Sequence, residues 1–420
     1  MSLTPRSPLP AWLRHYRRDD LGTDLVAGLT VAALLVPQSM AYASAAGFPP
    51  VLGLYSSVVP LLVYAIGGRS GILAIGPLVG MNLVASSGIA RFAGTDSRQF
   101  VAAAATVTLL VGLTHLVVRL VRAHRWVAKV SPVTLDGFLL AIAIVVIVLQ
   151  LDDLLGLADR HRGTVDTLAL VVEQIGAAQL VGLAIGVATI AFLLATHRYA
   201  RLPAALIAIL IGGGATWALG LSSDQVHTLG AIPGGLPVPS LPSTDHLVGL
   251  IPTALACTLL SLIEVSALVR RFESSDELPG SEVATLGVAN LAASVFRGLP
   301  VTSVPTRTAV ASAAGARTQL TGVVAALVTL ALLMLGTAAL AYLPLPTLAA
   351  VAIVAALSFF RLPTWRALWH DDRRRFVIGI TVTVVCVVLG FELGAVAVVV
   401  MSAVDHLTTR SPTDQADATS

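Results

Sequence analysis

Two ionisable residues lie in surroundings that rarely hold a charge. Arg307 sits in VTSVPTRTAVASAAG and Glu264 in CTLLSLIEVSALVRR, each within small and apolar residues. A cation deep in an apolar medium costs about 3 kcal/mol or more. A bound anion offsets that cost, and so does a carboxylate partner. Arg307 is therefore either half of an anion receptor or half of an ion pair with Glu264. A carboxyl at that depth has the chemistry of a proton or ion site, with a purely structural pair as the other reading. A third group lies in VAALLVPQSMAYASAAG, where Pro37 is followed by Gln38, Ser39 and Tyr42. Gln38 offers two donors and two lone pairs. It can bind an oxyanion or satisfy the backbone that Pro37 opens, and the sequence does not choose. Ser261 and Ser266 flank Glu264 and either line its cavity or bond back within their own helix.

Two irregular segments must position these groups. GGRSGILAIGP (67–77) begins with glycines and ends in Gly76-Pro77, and RGLPVTSVPTRT (297–308) carries Pro300 and Pro305. Each reads as a short extended piece followed by a half-helix. The first has Ile72 to Ile75 extended and a half-helix from Pro77. The second has Val301 to Val304 extended and a half-helix from Pro305 through Ala314. Proline suits a first helical turn, where its missing N–H is no loss. A half-helix that starts inside a membrane presents unpaired N–H groups and a partial positive charge. Two such starts facing each other make an anion site. The competing reading is two packed helices merely kinked by proline.

The medium follows from composition. Of 420 residues, 56% are hydrophobic and 12% charged, against about 25% charged in soluble domains. One soluble core could not hide so much apolar surface; a bilayer can. The formal charge of +3 is spread between apolar runs, with no basic stripe for nucleic acid. Cys257 and Cys386 lie inside apolar runs and offer no disulfide framework or metal spacing. No metal cluster, nucleophile–base pair or phosphate loop is present, so an enzyme is not expected, nor a cofactor. No cleavable leader is visible, and the first span is expected to persist.

Apolar runs long enough to span occur at 24–45, 51–67, 71–91, 99–119, 132–150, 179–197 and 203–220. After a linker come 247–269, 281–297, 298–314, 318–341, 346–360, 375–390 and 391–408. The expected organisation is a cytoplasmic segment 1–23, a first repeat 24–220, an outer linker 221–246, a second repeat 247–408 and a disordered cytoplasmic tail 409–420. The fold is thus an all-α polytopic membrane protein of fourteen segments in two sets of seven. Lys and Arg set the orientation. With the N-terminus inside, Arg14, Arg17, Arg18, Arg69, Arg119, Arg122, Arg125, Lys129, Arg198, Arg201, Arg270, Arg271, Arg361, Arg366 and Arg373 to Arg375 all fall inside. The outside receives Arg91, Arg98, Arg160 and Arg162 beside Asp96, Asp152, Asp153, Asp159, Asp166, Asp224 and Asp245. The amphipathic stretch 163–178 is expected to lie on the outer surface. Asp24 is expected to cap the first span, His115 and Asp136 to reach an interface or cap a helix, and Asn82 and Asn290 to mark close packing.

At these residues the chain resembles a known family. DLVAGLTVAALLVPQSMAYASAAGFPPVLGLYSSVVPLLVYAIGG (24–68) and GVANLAASVFRGLPVTSVPTRTAVASAAGARTQLTG (287–322) are similar to the two signature blocks of the sulfate permease family, also called solute carrier family 26. The resemblance spans roughly 20–408. It implies two inverted seven-segment repeats divided into core and gate domains, with substrate held between the half-helices of segments three and ten. Carried over by position, the site is Gln38, Tyr42, Gly76, Pro77, Leu78, Val79, Pro305, Thr306, Arg307 and Thr308, and Glu264 matches the acidic position used for cation coupling. Thr306 stands where serine is usual, and Arg297 where a small residue is common. The chain stops where the family's cytoplasmic STAS domain would begin.

Together these features point to an elevator-type secondary transporter in a bacterial inner membrane, with both termini cytoplasmic. Its cargo would be a sulfate-like oxyanion or bicarbonate, and its coupling ion a proton or sodium, in a monomer or homodimer. The alternatives are an uncoupled anion channel or exchanger, and a nucleobase or dicarboxylate permease of the same fold. Arg307 argues against a near-neutral base.

Overall fold

The computed structural model describes the chain apart from residues 1–9, 15, 94–96, 126–129, 158–163, 197–203, 223–224, 231–233, 237, 243–244, 274–277, 336–339, 358 and 410–420. Outside the described residues lie Asp96, Lys129, Asp159, Arg160, Arg162, Arg198, Arg201, Asp224 and the expected tail beyond Thr409.

A short α1 (Ala11–Arg14) docks through Trp12, whose Nε1 donates to the Ala65 carbonyl at 2.6 Å. Then follow α2 (Leu21–Ala45), α3 (Pro50–Gly67), β1 (Ile75–Pro77), α4 (Val79–Ala93), α5 (Ser97–Leu120), α6 (Pro132–Leu149), α7 (Leu151–Leu155), α8 (Thr164–Gln174), α9 (Leu180–Thr196) and α10 (Ala204–Leu219). The second half runs α11 (Ile251–Glu273), α12 (Gly280–Val295), β2 (Val301–Ser303), α13 (Pro305–Ala313), α14 (Leu320–Leu335), α15 (Leu345–Leu357), α16 (Leu362–Asp371), α17 (Arg373–Leu389) and α18 (Phe391–Thr409).

The packing repeats itself between the halves. Helix α3 packs on α14 as α12 packs on α5, and α2 packs on α13 as α11 packs on α4. Helix α6 packs on α17 as α15 packs on α9, and α2 packs on α10 as α11 packs on α18. Exchanging the halves turns each pairing into the other, the pattern of an inverted repeat. Six helices among the described residues are long and apolar enough to cross a membrane, against fourteen segments expected. Several of the rest are shorter among the described residues: α4 and α13 begin only after their strands, and α14 is described over sixteen residues. Helices α8 and α9 meet at a bend of 119°, so the stretch before α9 does not continue its axis.

Both irregular segments are broken, and their extended pieces pair with each other. Strands β1 and β2 are antiparallel, with Ile75 opposite Ser303, Gly76 opposite Thr302 and Pro77 opposite Val301. The second segment matches expectation within a residue. The first does not: Pro77 ends the strand instead of opening the helix, which starts at Val79. Two local forces account for the shift. Ser70 Oγ accepts from the N–H groups of Ile72 and Leu73 at 3.3 and 3.2 Å, which makes a turn where extended chain was expected. Pro77 then drives the residue before it, Gly76, into the extended region.

Asp24 does not cap its own helix. It is buried and accepts from the backbone N–H of Arg317 at 2.8 Å and of Thr318 at 3.2 Å, and from the Thr318 hydroxyl at 2.5 Å. Those donors lie at the start of α14, in the other half. Glu282 reciprocates: it accepts from the backbone N–H groups of Arg69 and Ser70 after α3 and from the Tyr64 hydroxyl.

Candidate anion-binding site

Helix α2 runs through Pro37 without breaking, contrary to the expected interruption, and carries Gln38, Ser39 and Tyr42 into the interior. All three are buried. Helix α3 lies against this stretch because Gly53 has no side chain; a Cβ there would fall on the Ser39 carbonyl oxygen. The close approach brings Ser57 Oγ within 2.8 Å of Ser39 Oγ.

The half-helices supply the rest. In α4 the first intrahelical bond runs from the Asn82 N–H to the Leu78 carbonyl at 3.0 Å, so Val79, Gly80 and Met81 have N–H groups with no acceptor within the helix. In α13 the first bond runs from Thr308 N–H to the Val304 carbonyl at 3.0 Å, which leaves Thr306 and Arg307. Asn290 fixes β2 ahead of that helix. Its amide takes the Val301 N–H and gives a hydrogen to the Val301 carbonyl, each at 2.9 Å.

Arg307 is fully buried among these elements. Its Nε donates to Gln38 Oε1 at 3.3 Å, and its Nη2 to Ser39 Oγ at 3.0 Å. The Thr306 hydroxyl reaches the same Gln38 oxygen at 3.5 Å, and Tyr42 stands in range of Thr306 and Arg307. Nη1 is buried with no partner among the described residues. It lies against the Cα of Gly76, where a Cβ would collide with it. A guanidinium presents a planar fork suited to two oxygens at once. Here one arm is anchored and the other is open beside two helix starts, which is the chemistry of an anion receptor.

Of the two readings of Arg307, the ion pair with Glu264 is not formed among the described residues. Glu264 is buried on α11 with no hydrogen bond or salt bridge among the described residues; Arg361 bonds Asp136 at 3.0 Å. Ser261 takes neither expected role, since its hydroxyl bonds Thr302 on β2 and His115 on α5. His115 reaches no interface; it is wholly buried. Among the residues carried over, Gln38, Tyr42, Gly76, Thr306 and Arg307 converge. Pro77, Leu78 and Val79 line the start of α4, and Pro305 opens α13. Thr308 turns instead toward β1, where its Oγ1 accepts from the Ala74 N–H at 3.2 Å. Sequence reasoning missed Ser57 and Ser303, the latter the last residue of β2, buried with no partner for its hydroxyl among the described residues. Arg297 has a φ of +54°, a region that glycine adopts freely and that costs a residue with a Cβ.

A model of the sulfate permease family matches residues 21–383. The chain belongs to that family, a class of membrane transporters. A probable sulfate transporter of Mycobacterium tuberculosis is 32% identical over 94% of this chain and 71% of its own length. The chloroplastic sulfate transporter 4.1 of Arabidopsis thaliana is 31% identical over 92% of this chain and 58% of that protein. Human solute carrier family 26 member 6 is 30% identical over 94% of this chain and 56% of that protein. Two solved structures establish the fold. Murine solute carrier 26 family member A9, an anion transporter in the inward-facing state, superposes with a TM-score of 0.88 at 19% identity, covering 97% of this chain and 73% of that one. The transmembrane domain of a cyanobacterium bicarbonate transporter gives 0.80 at 24% identity, covering 91% and 98%.

Proposed function

We propose that this protein is a secondary active transporter of small inorganic anions, a sulfate-like oxyanion or bicarbonate. It works as a proton symporter through Glu264, by elevator-type alternating access. Its fourteen segments form two inverted sets of seven in a bacterial inner membrane, with both termini in the cytoplasm. The observation that carries this reading is the open Nη1 arm of Arg307, buried beside the starts of α4 and α13. A neutral solute gains little from a guanidinium and two helix dipoles, whereas an anion gains from all three. Glu264, buried with no hydrogen bond or salt bridge among the described residues, on the helix that packs on β2, is the group best placed to carry a coupling proton.

The test is uptake by proteoliposomes of radiolabelled sulfate, bicarbonate, a dicarboxylate and uracil, with and without a pH gradient. Uptake of one inorganic anion, faster with acid outside and lost in Arg307→Ala, is expected. Glu264→Gln should end accumulation driven by the gradient and spare exchange. Uracil uptake, or anion uptake intact in Arg307→Ala, would remove the site. Accumulation unchanged in Glu264→Gln would put coupling elsewhere.

A further inference from the structure

His115 makes no contact with the anion site, yet both of its ring nitrogens are engaged. Nδ1 lies 2.8 Å from the Val111 carbonyl and Nε2 lies 3.0 Å from Ser261 Oγ. Ser261 Oγ in turn lies 2.8 Å from Thr302 Oγ1. Thr302 stands opposite Gly76 in the sheet, and Gly76 is the residue whose missing side chain makes room for Nη1 of Arg307. A chain of three side chains therefore runs from α5, through α11, to the strand behind the anion receptor.

A carbonyl oxygen only accepts, so Nδ1 carries a hydrogen in either charge state. Nε2 alone sets the direction of the chain. In neutral imidazole Nε2 accepts from Ser261, and Ser261 must accept from Thr302, the reverse of the direction in this structure, where Ser261 donates to Thr302 and Thr302 to the Ser261 carbonyl. In the imidazolium Nε2 donates to Ser261, and Ser261 donates to Thr302. The Thr302 hydrogen is then free for another acceptor, such as the Ser261 carbonyl at 3.5 Å. One proton gained at Nε2 turns both hydroxyls round and adds one positive charge.

We propose that His115 is a second protonatable residue of the transport cycle, a positioning residue whose protonation strengthens anion binding by reversing the Ser261–Thr302 chain behind the strand. The proposal rests on the anion-transport reading above and deepens it. A buried cation is unfavourable unless an opposite charge accompanies it, and an anion on Arg307 is such a charge. The other charged groups around His115 are few. Helix α11 offers Glu264, three residues on from Ser261 and hence on the same face, with Arg270, Arg271 and Glu273 at its far end. Helix α12 offers Glu282, already held by Tyr64 and the turn after α3. Helix α4 carries Arg91 near its end, and α5 itself carries Arg119 one turn on and Arg98 at its start. The hydrogen bonds give that proton a mechanical consequence.

The experiment measures the Kd of radiolabelled sulfate for the purified full chain at about pH 5 and about pH 8; sulfate itself does not change charge across that range. Glu264→Gln serves as the background, because it removes the other central titrating group. That background should bind about fivefold or more tightly at the lower pH, the size of an ordinary coupling between two ligands. His115→Gln on the same background keeps a donor and an acceptor but gains no proton, and its Kd should be the same at both pH values. Ser261→Ala keeps the histidine and cuts the chain one link later, and should flatten the response as well. A double variant that keeps the pH response of its parent, or a parent with none, overturns the proposal. If His115→Gln fails to fold, the Ser261→Ala pair decides. Wild-type protein that takes up no inorganic anion sinks the transport reading and this proposal with it, whereas uptake without the His115 effect sinks this proposal alone.

Discussion

Gly76→Ala separates the anion site from the fold that carries it. Its backbone is not in the left-handed region, so alanine fits the strand. The new Cβ would collide with Nη1 of Arg307. What must give is the end of a long side chain, not a backbone atom, so the strand and half-helices stay in place. Replacing glycine also reduces the freedom of the unfolded chain, by about 0.4–1 kcal/mol in the direction of greater stability. The site, however, loses the position of its open arm. A hydrogen bond to a charged group contributes about 1.5–3 kcal/mol. Losing one or two of them to the anion weakens binding by about 2–4 kcal/mol, on the order of 30- to 1,000-fold in Kd. The assay is equilibrium binding of the transported anion to purified protein, with the thermal midpoint measured on the same sample. Expected are a near wild-type midpoint and a large loss of affinity. A variant that binds the anion within about threefold of wild type would refute the reasoning, because Nη1 would then not be the receiving arm.

Gly53→Ala should do the opposite. Its Cβ would land on the Ser39 carbonyl, with no flexible atom to move aside, so α2 and α3 must part at a cost of about 1–3 kcal/mol; a thermal midpoint unchanged from wild type would contradict the close approach. Asn290→Leu strips the Val301 N–H and carbonyl of their partner and should destabilise by about 2–6 kcal/mol, given about 1–3 kcal/mol for each orphaned group. Denaturant unfolding in detergent checks this, and a stability equal to wild type would mean the clamp is dispensable.

The features readable from sequence were those a short window contains. Pro300, Pro305 and the pair Gly76-Pro77 announce broken segments on their own, and Arg307 stands out because charge is rare in such a run. What stayed hidden depends on which helix faces which. Nothing near Ser57 points to Ser39, since their meeting depends on Gly53 letting two backbones touch. Nothing near Asp24 points to Thr318, which lies 294 residues away in sequence. The strand of the third segment was misplaced by a local competition, the turn at Ser70 against the extended push of Pro77. The count of fourteen rests on the apolar runs, because a half-helix that begins at a strand does not have the length by which a spanning helix is recognised.

The distribution of polar bonds bears on how such a site could move. Asp24 of the first half holds the turn before α14, and Glu282 of the second half holds the turn after α3. Gln319 donates to the carbonyls of Ser70 and Leu73, Ser56 receives the Leu299 N–H, and Thr108 donates to the Gly298 carbonyl. All of these tie α2–α5 to α11–α14, the helices that carry the two strands and Arg307. Directional bonds of this kind fix one geometry. The face that α2 turns toward α10 is different in kind. Val36, Pro37 and Met40 meet Ile209, Leu210 and Gly213 around a cavity of about 460 Å³, in contacts that are apolar and non-directional. A block cross-bonded within itself and bounded by such a surface can shift as a unit without breaking the bonds that shape its anion site. That is the mechanical condition an elevator requires, and this apolar surface lies one helix face away from Gln38, the residue that anchors the guanidinium.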